Sequence, residues 1–254
     1  MRLVKSCMIA FSMYSGIPVP QFAWKDEDMK YVLCFFPWVG ALIGGVVYLW
    51  YAVCDRFAVN GLCYALIGAA IPLVITGGIH ADGFLDTMDA FHSYQPREKK
   101  LEILQDSHIG AFAVIQFAAY GLIYVGAFSQ VRDKNLLQIL CAGFFLARCL
   151  SGIGVVSFRS AKQEGLLYLF ASRAQKRIVK GSLGLQGILC AVFMLWRSFC
   201  AGGVIVLAAL GAFAYYYFRC KKELGGITGD TAGYFVLICE CCMTAAAAIL
   251  QVAG

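Results

Sequence analysis

Three aspartates stand at helical spacing in the segment that follows the second long apolar run of this 254-residue chain. Asp82, Asp86 and Asp89 are four and three residues apart, so a helix would place them on one face. Like charges on one face repel each other, and a divalent metal with oxygen ligands would compensate them. The alternative is a solvated acidic face. The apolar residues that alternate with the acids favour the metal site.

A fourth carboxylate and every histidine of the chain lie in the same segment. Asp106 either adds a metal ligand or caps the N-terminus of the apolar helix predicted after it. His80, His92 and His108 all lie close in sequence to these acids. This grouping leads us to expect that at least one of the histidines handles protons or an anion.

A glycine-rich turn, Gly225–Gly233, precedes the last apolar run and contains Thr228, Gly229 and Asp230. Glycines let backbone amides approach an oxyanion closely, and the N-terminus of the following helix adds a partial positive charge. Asp230 could cap that helix or bind a metal. By itself such a turn is a common loop. On the same membrane face as the three aspartates, it is predicted to form the other wall of a site.

Two cationic features accompany these motifs. Arg148 lies inside the fourth apolar run, and an arginine within a bilayer is costly enough to indicate function unless it snorkels to the headgroups. The segment Arg159–Lys180 contains six basic residues. It could steer a phosphorylated substrate or contact anionic lipid.

The composition shows which elements must position these residues. Residues of the AVILMFWYC set make up 61% of the chain, charged residues make up 14%, and the mean hydropathy is +0.73. A soluble protein of this size could not bury so much apolar surface. The composition therefore excludes an aqueous enzyme, a disordered tail and a nucleic-acid-binding domain. It predicts an all-α, polytopic membrane helical bundle that forms a single domain, residues 1–254.

Seven apolar runs are long enough, or nearly so, to cross a bilayer, which takes roughly 20 helical residues. The weakest run, Val179–Trp196, is interrupted by glycines but is kept as a span. The N-terminal stretch Leu3–Val19 is too interrupted and is predicted to lie at the interface as a short helix. The seven spans are Tyr31–Cys54, Ala58–Gly78, Ile109–Gln130, Leu136–Val156, Val179–Trp196, Ser198–Phe218 and Ala232–Val252.

The basic residues are distributed unequally between the two sides of these spans. Sixteen lysines and arginines fall in the N-terminal segment and the loops of its side, against four on the other side. The positive-inside rule makes the richer side cytoplasmic. The N-terminus and the segments 77–108, 157–180 and 219–231 are therefore expected on the cytoplasmic face of the plasma membrane, and the C-terminus outside.

Carboxylates for a metal, a glycine turn and an arginine at a membrane surface together indicate displacement at phosphorus. At these residues the chain resembles the cobalamin synthase family, the adenosylcobinamide-GDP ribazoletransferases. The resemblance covers most of the chain, because its motifs follow the family's order. They are Phe36–Gly40, Gly77–Gly83 with Asp86 and Asp89, Asp106–Phe112, Glu164–Leu166 and Gly226–Asp230.

The resemblance implies a bacterial or archaeal membrane enzyme with Mg²⁺ as its metal. α-Ribazole, or its 5′-phosphate, would attack adenosylcobinamide-GDP at the cobinamide-side phosphorus, releasing GMP and forming adenosylcobalamin or its 5′-phosphate. Asp82, Asp86 and Asp89, with Asp106 as a fourth ligand, would hold the metal. Arg148 and the turn of Thr228, Gly229 and Asp230 would hold phosphate, and His80, with Asp82 and Asp86, would act in catalysis. The lipid bilayer is the other expected partner, nucleic acid is not one, and a homo-oligomer is left open.

Three other classes share parts of this pattern. The CDP-alcohol phosphotransferases have a similar spacing of glycine and aspartate, but their further Ala-Arg pair is missing here. Membrane prenyltransferases place aspartate motifs in two cytoplasmic loops, whereas the second motif here contains only Asp230. A membrane carrier would use acids deep within its spans, and Glu240 is the one acid well inside a span of this sequence.

Overall fold

The computed structural model describes residues 2–20, 23–162 and 166–253, and this part of the chain is helical without strands. The Glu164–Gly165 part of the motif Glu164–Leu166 lies outside the described residues. The helices are α1 (Arg2–Tyr14), α2 (Asp26–Met29), α3 (Val32–Arg56), α4 (Gly61–Thr76), α5 (Ile79–His92), α6 (Arg97–Ile103), α7 (Ala111–Gln130), α8 (Lys134–Ser157), α9 (Leu166–Arg173), α10 (Lys176–Arg197), α11 (Phe199–Leu224) and α12 (Gly229–Ala253).

Six of these helices, α3, α7, α8, α10, α11 and α12, are each long and apolar enough to cross a membrane. The pair α4–α5 passes the same test only when taken together, and it bends by 93° at the break. The prediction of a polytopic helical bundle with about seven spans is therefore confirmed. The glycine-interrupted run is part of the continuous helix α10, since glycine is tolerated in a helix that packs among others.

The bend between α4 and α5 is made by two consecutive glycines. Gly77 and Gly78 have φ angles of 62° and 81°, in the left-handed region that glycine adopts without strain. The amide of Gly78 donates to the carbonyl of Leu73, which ends α4. Because α5 contains three aspartates and leaves the direction of α4, we treat α4 as the crossing segment and α5 as lying outside the hydrocarbon.

The centre of the bundle is α8, which packs against α3, α10, α11 and α12. Gly40 and Gly44 of α3 face the backbone of α8, where a side chain would overlap the carbonyls of Phe144 and Cys141. Small residues four apart allow two membrane helices to approach this closely. The N-terminal stretch forms the helix α1, which packs on α3 and is too short to span, while its location at the interface stays a prediction.

Candidate active site

A cavity of about 420 Å³ lies where the ends of several helices meet. Its walls come from six parts of the sequence: the end of α1, the start of α3, the segment from α5 to the loop before α7, the end of α8 with the segment after it, α9, and the start of α12. The polar residues that line it are His80, Asp82, Gln105, Ser151, Ser160, Lys162, Thr228 and Asp230. All three loop segments that the sequence analysis placed on one side contribute to this cavity.

Close contact between α5 and α12 brings the two acidic motifs together. A Cβ atom on Gly83 would lie 2.6 Å from the carbonyl oxygen of Asp230, and one on Gly233 would lie 3.2 Å from the Cα of His80. Only glycine leaves room for this approach. The first turn of α12 is thereby held beside Asp82, which is how the glycine-rich turn comes to form the second wall.

The turn before α12 is held on its other side by the segment after α8. The amide of Ala161 donates to the carbonyl of Ile227 at 2.8 Å, and the amide of Ile227 donates to the carbonyl of Arg159 at 2.9 Å. Lys162 follows directly, and its Nζ donates to the carbonyl of Leu101 at 2.6 Å. A lysine is therefore placed in the wall of the cavity, close enough to Asp230 to interact with its charge.

Thr228 and Thr231 define the N-terminus of α12. The amide of Thr228 donates to Oγ1 of Thr231 at 2.8 Å, and the amide of Thr231 donates to Oγ1 of Thr228 at 3.2 Å. Oγ1 of Thr228 also donates to Asp230 at 3.3 Å. These bonds fix a helix N-terminus in the cavity wall, where its partial positive charge favours an anion.

The pKa of Asp86 is shifted by burial and by the neighbouring aspartates. Burial, followed in decreasing order by the charges of Asp82, Asp230 and Asp89, raises the pKa of Asp86 to about 7. Among the residues that the structure describes, no hydrogen bond or ion pair to the side chains of Asp82 and Asp86 is found. The two carboxylates are therefore free to bind a cation.

The described residues contain no group of three or more His, Cys, Asp or Glu side chains close enough to hold a metal as they stand. Asp106 lies outside the cavity, where its Oδ1 accepts from Nδ1 of His108 at 2.7 Å and from the His108 amide at 3.0 Å. It is absent from the charges that act on Asp86. The structure therefore brings Asp82, Asp86 and Asp230 near one another and leaves Asp106 apart. The assignment of Asp106 as a metal ligand stays a prediction.

Asp89 connects the acidic helix to α7. Its Oδ2 accepts from the amide of Gly110 at 2.5 Å, and its Oδ1 accepts from the amide of Ala113 at 3.0 Å. It thus caps the N-terminus of α7 from another helix, a role that an acid in this position favours. Each oxygen keeps a second lone pair, so the cap does not exclude the predicted metal contact.

We expect Asp89→Ala to lower the free energy of unfolding by about 1–2 kcal/mol, because two amides at the start of α7 lose their acceptor. Thermal unfolding in detergent without divalent cations measures this loss. Asp82→Ala is the matched control and should not lose stability, because its carboxylate accepts no hydrogen bond from the residues described. Equal loss in the two variants would contradict the capping role.

The three histidines have different surroundings. His80 is 6% exposed, lines the cavity, and has an Nε2 without a hydrogen-bond partner in the described part of the chain. Burial, with a contribution from Arg148, lowers its pKa to about 3, so its ring is neutral. His92 contacts the carbonyl of Met88 on its own helix, and His108 pairs with Asp106. His80 is therefore the histidine that could contact a ligand.

Arg148 is fully buried and forms an ion pair with a residue of another span. Its Nη1 donates to Oε1 of Glu240 at 2.7 Å and to the carbonyl of Phe144 at 2.9 Å. Both charged residues line a second cavity of about 220 Å³, bordered by α4 and α7. His80 lines both cavities. The partner of Arg148 in the structure is thus Glu240. The contact of Arg148 with phosphate stays a prediction.

Some residues of the cavity lie outside the sequence motifs. Ser151 and Ser160 lie in no motif, and Tyr14 lies in the N-terminal segment that the sequence analysis treats only as an interfacial helix. One feature could have found Ser160, because it lies between the end of a predicted span and a basic segment. The position of Tyr14 depends entirely on how α1 packs.

Comparison with known proteins extends over nearly the whole chain. Residues 6–248 match the family described as cobalamin-5-phosphate synthase. The adenosylcobinamide-GDP ribazoletransferase of Lachnoclostridium phytofermentans is 42% identical over 240 residues, which cover 94% of this chain and 92% of the relative. Proteins of the same name from Clostridium perfringens and a Geobacillus species are 32% and 30% identical, over 93% and 90% of this chain and 94% and 89% of their own lengths. No solved structure matches the chain.

Proposed function

This chain belongs to the cobalamin-5-phosphate synthase family, and we infer that it is an adenosylcobinamide-GDP ribazoletransferase of cobalamin synthesis. The observation that supports this most is the cavity itself. The motifs that carry the family resemblance are spread from Phe36 to Asp230 in sequence, and residues of several of them line one space. We propose that the reaction takes place there.

The reaction is a displacement at phosphorus. A hydroxyl of α-ribazole, or of its 5′-phosphate, forms a new bond to the phosphorus nearer cobinamide. The bond from that phosphorus to the bridging oxygen breaks, and GMP leaves with the oxygen. The hydroxyl proton leaves with solvent or a base. Such reactions depend mainly on positioning and on neutralising charge, because little covalent chemistry falls to the protein.

Mg²⁺ is the metal that we propose for this site. The donor set fits it, since Asp82, Asp86 and Asp230 offer oxygen ligands and Mg²⁺ prefers one or two carboxylates, water and substrate phosphates. After burial, the charges of neighbouring acids contribute to the raised pKa of Asp86, and a cation would offset these charges. When bound, the ion would neutralise charge on the pyrophosphate. Side chains would need to rotate to bind it, because they are not grouped closely enough as they stand.

Other residues of the cavity suit the substrate. The N-terminus of α12, at Thr228 and Gly229, is a site for phosphate oxygens, and Lys162 adds a positive charge in the same wall. His80 is neutral and presents a buried ring nitrogen. A pKa near 3 makes it a weak base. We propose that it orients the attacking hydroxyl through a hydrogen bond.

Binding of Mg²⁺ should depend on pH through Asp86. Its pKa is raised to about 7 from an ordinary value of 3.8, so in the folded protein it holds its proton more tightly than in the unfolded chain. Its contribution to stability is thus present at low pH and lost as the pH rises through about 7. Proton and cation compete for the same oxygens, so Mg²⁺ should stabilise the protein at about pH 8 and hardly at about pH 5.5.

Thermal unfolding in detergent, with Mg²⁺ or with a chelator, measures this difference at the two pH values. Asp86→Asn is the control, because it cannot titrate and should make the effect of Mg²⁺ small at both. Equal stabilisation of the native protein at both pH values would contradict the assignment of Asp86.

The experiment that tests the function uses purified protein, adenosylcobinamide-GDP and α-ribazole. We expect GMP to be released in equal amounts to the cobalamin product, and only when both substrates are present. GMP release that is independent of α-ribazole would indicate a hydrolase. No release under conditions where the protein is folded and binds the donor would refute the proposed function.

We propose that the cavity faces the cytoplasm, with the N-terminus on the same side. The support is the excess of lysine and arginine in the segments that surround it. A reporter fused after Gly254 should then read as external, and one fused at Lys100 as cytoplasmic. The reverse pattern would place the site on the outer face.

A further inference from the structure

The cavity has an acidic end, which contains Asp82 and Asp230, and an apolar end of different chemistry. Met13 and Tyr14 of α1, Leu33 and Phe36 of α3, and Phe170 of α9 line it there. The Tyr14 hydroxyl is the single polar side-chain group of these five residues. The acidic end therefore suits phosphates and a cation, while this apolar end suits a part of a substrate that carries no charge.

The aromatic rings at the apolar end form a continuous wall that reaches His80. The ring centroids of Tyr14 and Phe36 are 4.3 Å apart, and those of Phe36 and His80 are 5.8 Å apart. Tyr14 and His80 are stacked, with 6.5 Å between centroids and 23° between planes. Since His80 and Asp82 both line the cavity, a ligand against this wall can extend to the acidic end.

We propose that this aromatic wall, formed by Tyr14 and Phe36, binds the planar base of the acceptor nucleoside. This inference rests on the proposed function, in which the acceptor is α-ribazole. Its base is a fused pair of aromatic rings with two methyl groups and no charge. Aromatic side chains recognise such a surface by stacking and by excluding water.

The guanine of the donor is the other planar base in the reaction, and the wall suits it less well. Guanine has N–H donors and a carbonyl on its edge, and a pocket that holds it must pair these groups to avoid leaving them unsatisfied. The five residues of the apolar end contain no carboxylate or amide side chain. The hydrocarbon-rich base of α-ribazole requires no such partners.

Tyr14 is the better of the two residues to test. Phe36 is 4% exposed and its ring also contacts the guanidinium of Arg148, so its replacement would disturb the core. Tyr14 is half-buried, lies at the last position of α1, and its hydroxyl bonds to none of the residues described. Tyr14→Leu removes the ring, while Tyr14→Phe keeps it.

The experiment measures KM for both substrates in these variants. We expect Tyr14→Leu to raise KM for α-ribazole about tenfold, as the loss of one stacking contact implies, and to change KM for adenosylcobinamide-GDP less than twofold. Tyr14→Phe should restore a nearly native KM for α-ribazole. Tyr168→Leu, which removes an exposed tyrosine of α9 outside the cavity, is the matched control and should change neither value.

Two inhibitors separate the two bases. 5,6-Dimethylbenzimidazole, the base of α-ribazole, should compete with α-ribazole, and Tyr14→Leu should weaken this inhibition about tenfold while leaving inhibition by GMP unchanged. Weaker inhibition by GMP alone would assign the wall to guanine and overturn the proposal, as would an unchanged KM for α-ribazole. Calorimetric binding of α-ribazole to the native protein and to Tyr14→Leu requires no turnover. It therefore tests the wall even if the proposed reaction fails.

Discussion

Asp82→Asn and Asp86→Asn should each lower kcat/KM for adenosylcobinamide-GDP by on the order of a thousandfold, because each removes a carboxylate ligand of the proposed Mg²⁺, the ion that would neutralise charge on the pyrophosphate. Asp82 lines the cavity, and Asp86 lies close enough to Asp82 and Asp230 for their charges to act on it. Neither carboxylate accepts a hydrogen bond from the described part of the protein. The substitutions should therefore leave the fold intact. Initial rates in detergent measure the first effect and thermal unfolding measures the second.

Asp55→Asn is the matched control for these two variants. Asp55 is an exposed aspartate near the end of α3 and does not line the cavity. Its replacement should keep kcat/KM within about twofold, as is usual for a charge that lies beyond the screening length. Nearly native turnover in Asp86→Asn would contradict the site as described, because the charges of Asp82, Asp230 and Asp89 all act on Asp86.

The second large effect concerns the ion pair between Arg148 and Glu240. Both side chains are buried, at 0% and 3% exposure, so removing one partner leaves an unpaired charge among apolar helices. We expect Glu240→Gln and Arg148→Met each to destabilise the protein by about 3–5 kcal/mol. The double variant Arg148→Met with Glu240→Met should recover most of this loss, because no charge is then left unpaired.

This comparison also separates two roles of Arg148. If the arginine bound the substrate phosphate, as the sequence suggested, Glu240→Gln would leave stability almost native and Arg148→Met would raise KM for the donor. If the ion pair is its main role, both single variants lose stability and the double variant regains it with KM for the donor unchanged. Thermal unfolding and donor KM, measured in all three variants, distinguish these results.

The membrane bundle could be predicted because its cause is local. An apolar run of sufficient length must be helical in lipid, whatever surrounds it, since its backbone groups have no other partners. The position of α10 follows from this despite its glycines. The bend after α4 is partly predictable from the Gly77–Gly78 pair, but the 93° angle depends on how α5 packs against α12.

The acidic site was only partly predictable because helical spacing fixes a face and not its neighbours. Asp82, Asp86 and Asp89 do lie on one helix, yet Asp89 caps α7, whose N-terminus is brought to it by the tertiary fold. Asp106 was grouped with them by closeness in sequence, and its loop carries it away from the cavity. Asp230 joins the acids because Gly83 and Gly233 allow two helices to touch.

The partner of Arg148 shows the limit of reading single residues. The sequence indicated that an intramembrane arginine needs a partner, and it showed Glu240 as an acid within another span. Opposite charges that are each isolated in an apolar run are a signal for a pair. The pairing still requires that α8 and α12 be neighbours in the correct rotation, and no local pattern contains that information.

We infer that this chain transfers the cobinamide phosphate of adenosylcobinamide-GDP to α-ribazole. The most direct test uses a donor labelled with ³²P at the phosphorus nearer cobinamide, incubated with purified protein and α-ribazole. We predict that the label is recovered in the cobalamin product and that the released GMP is unlabelled. Labelled adenosylcobinamide phosphate, formed together with a guanylylated ribazole, would show attack at the other phosphorus and would contradict transfer of the cobinamide phosphate.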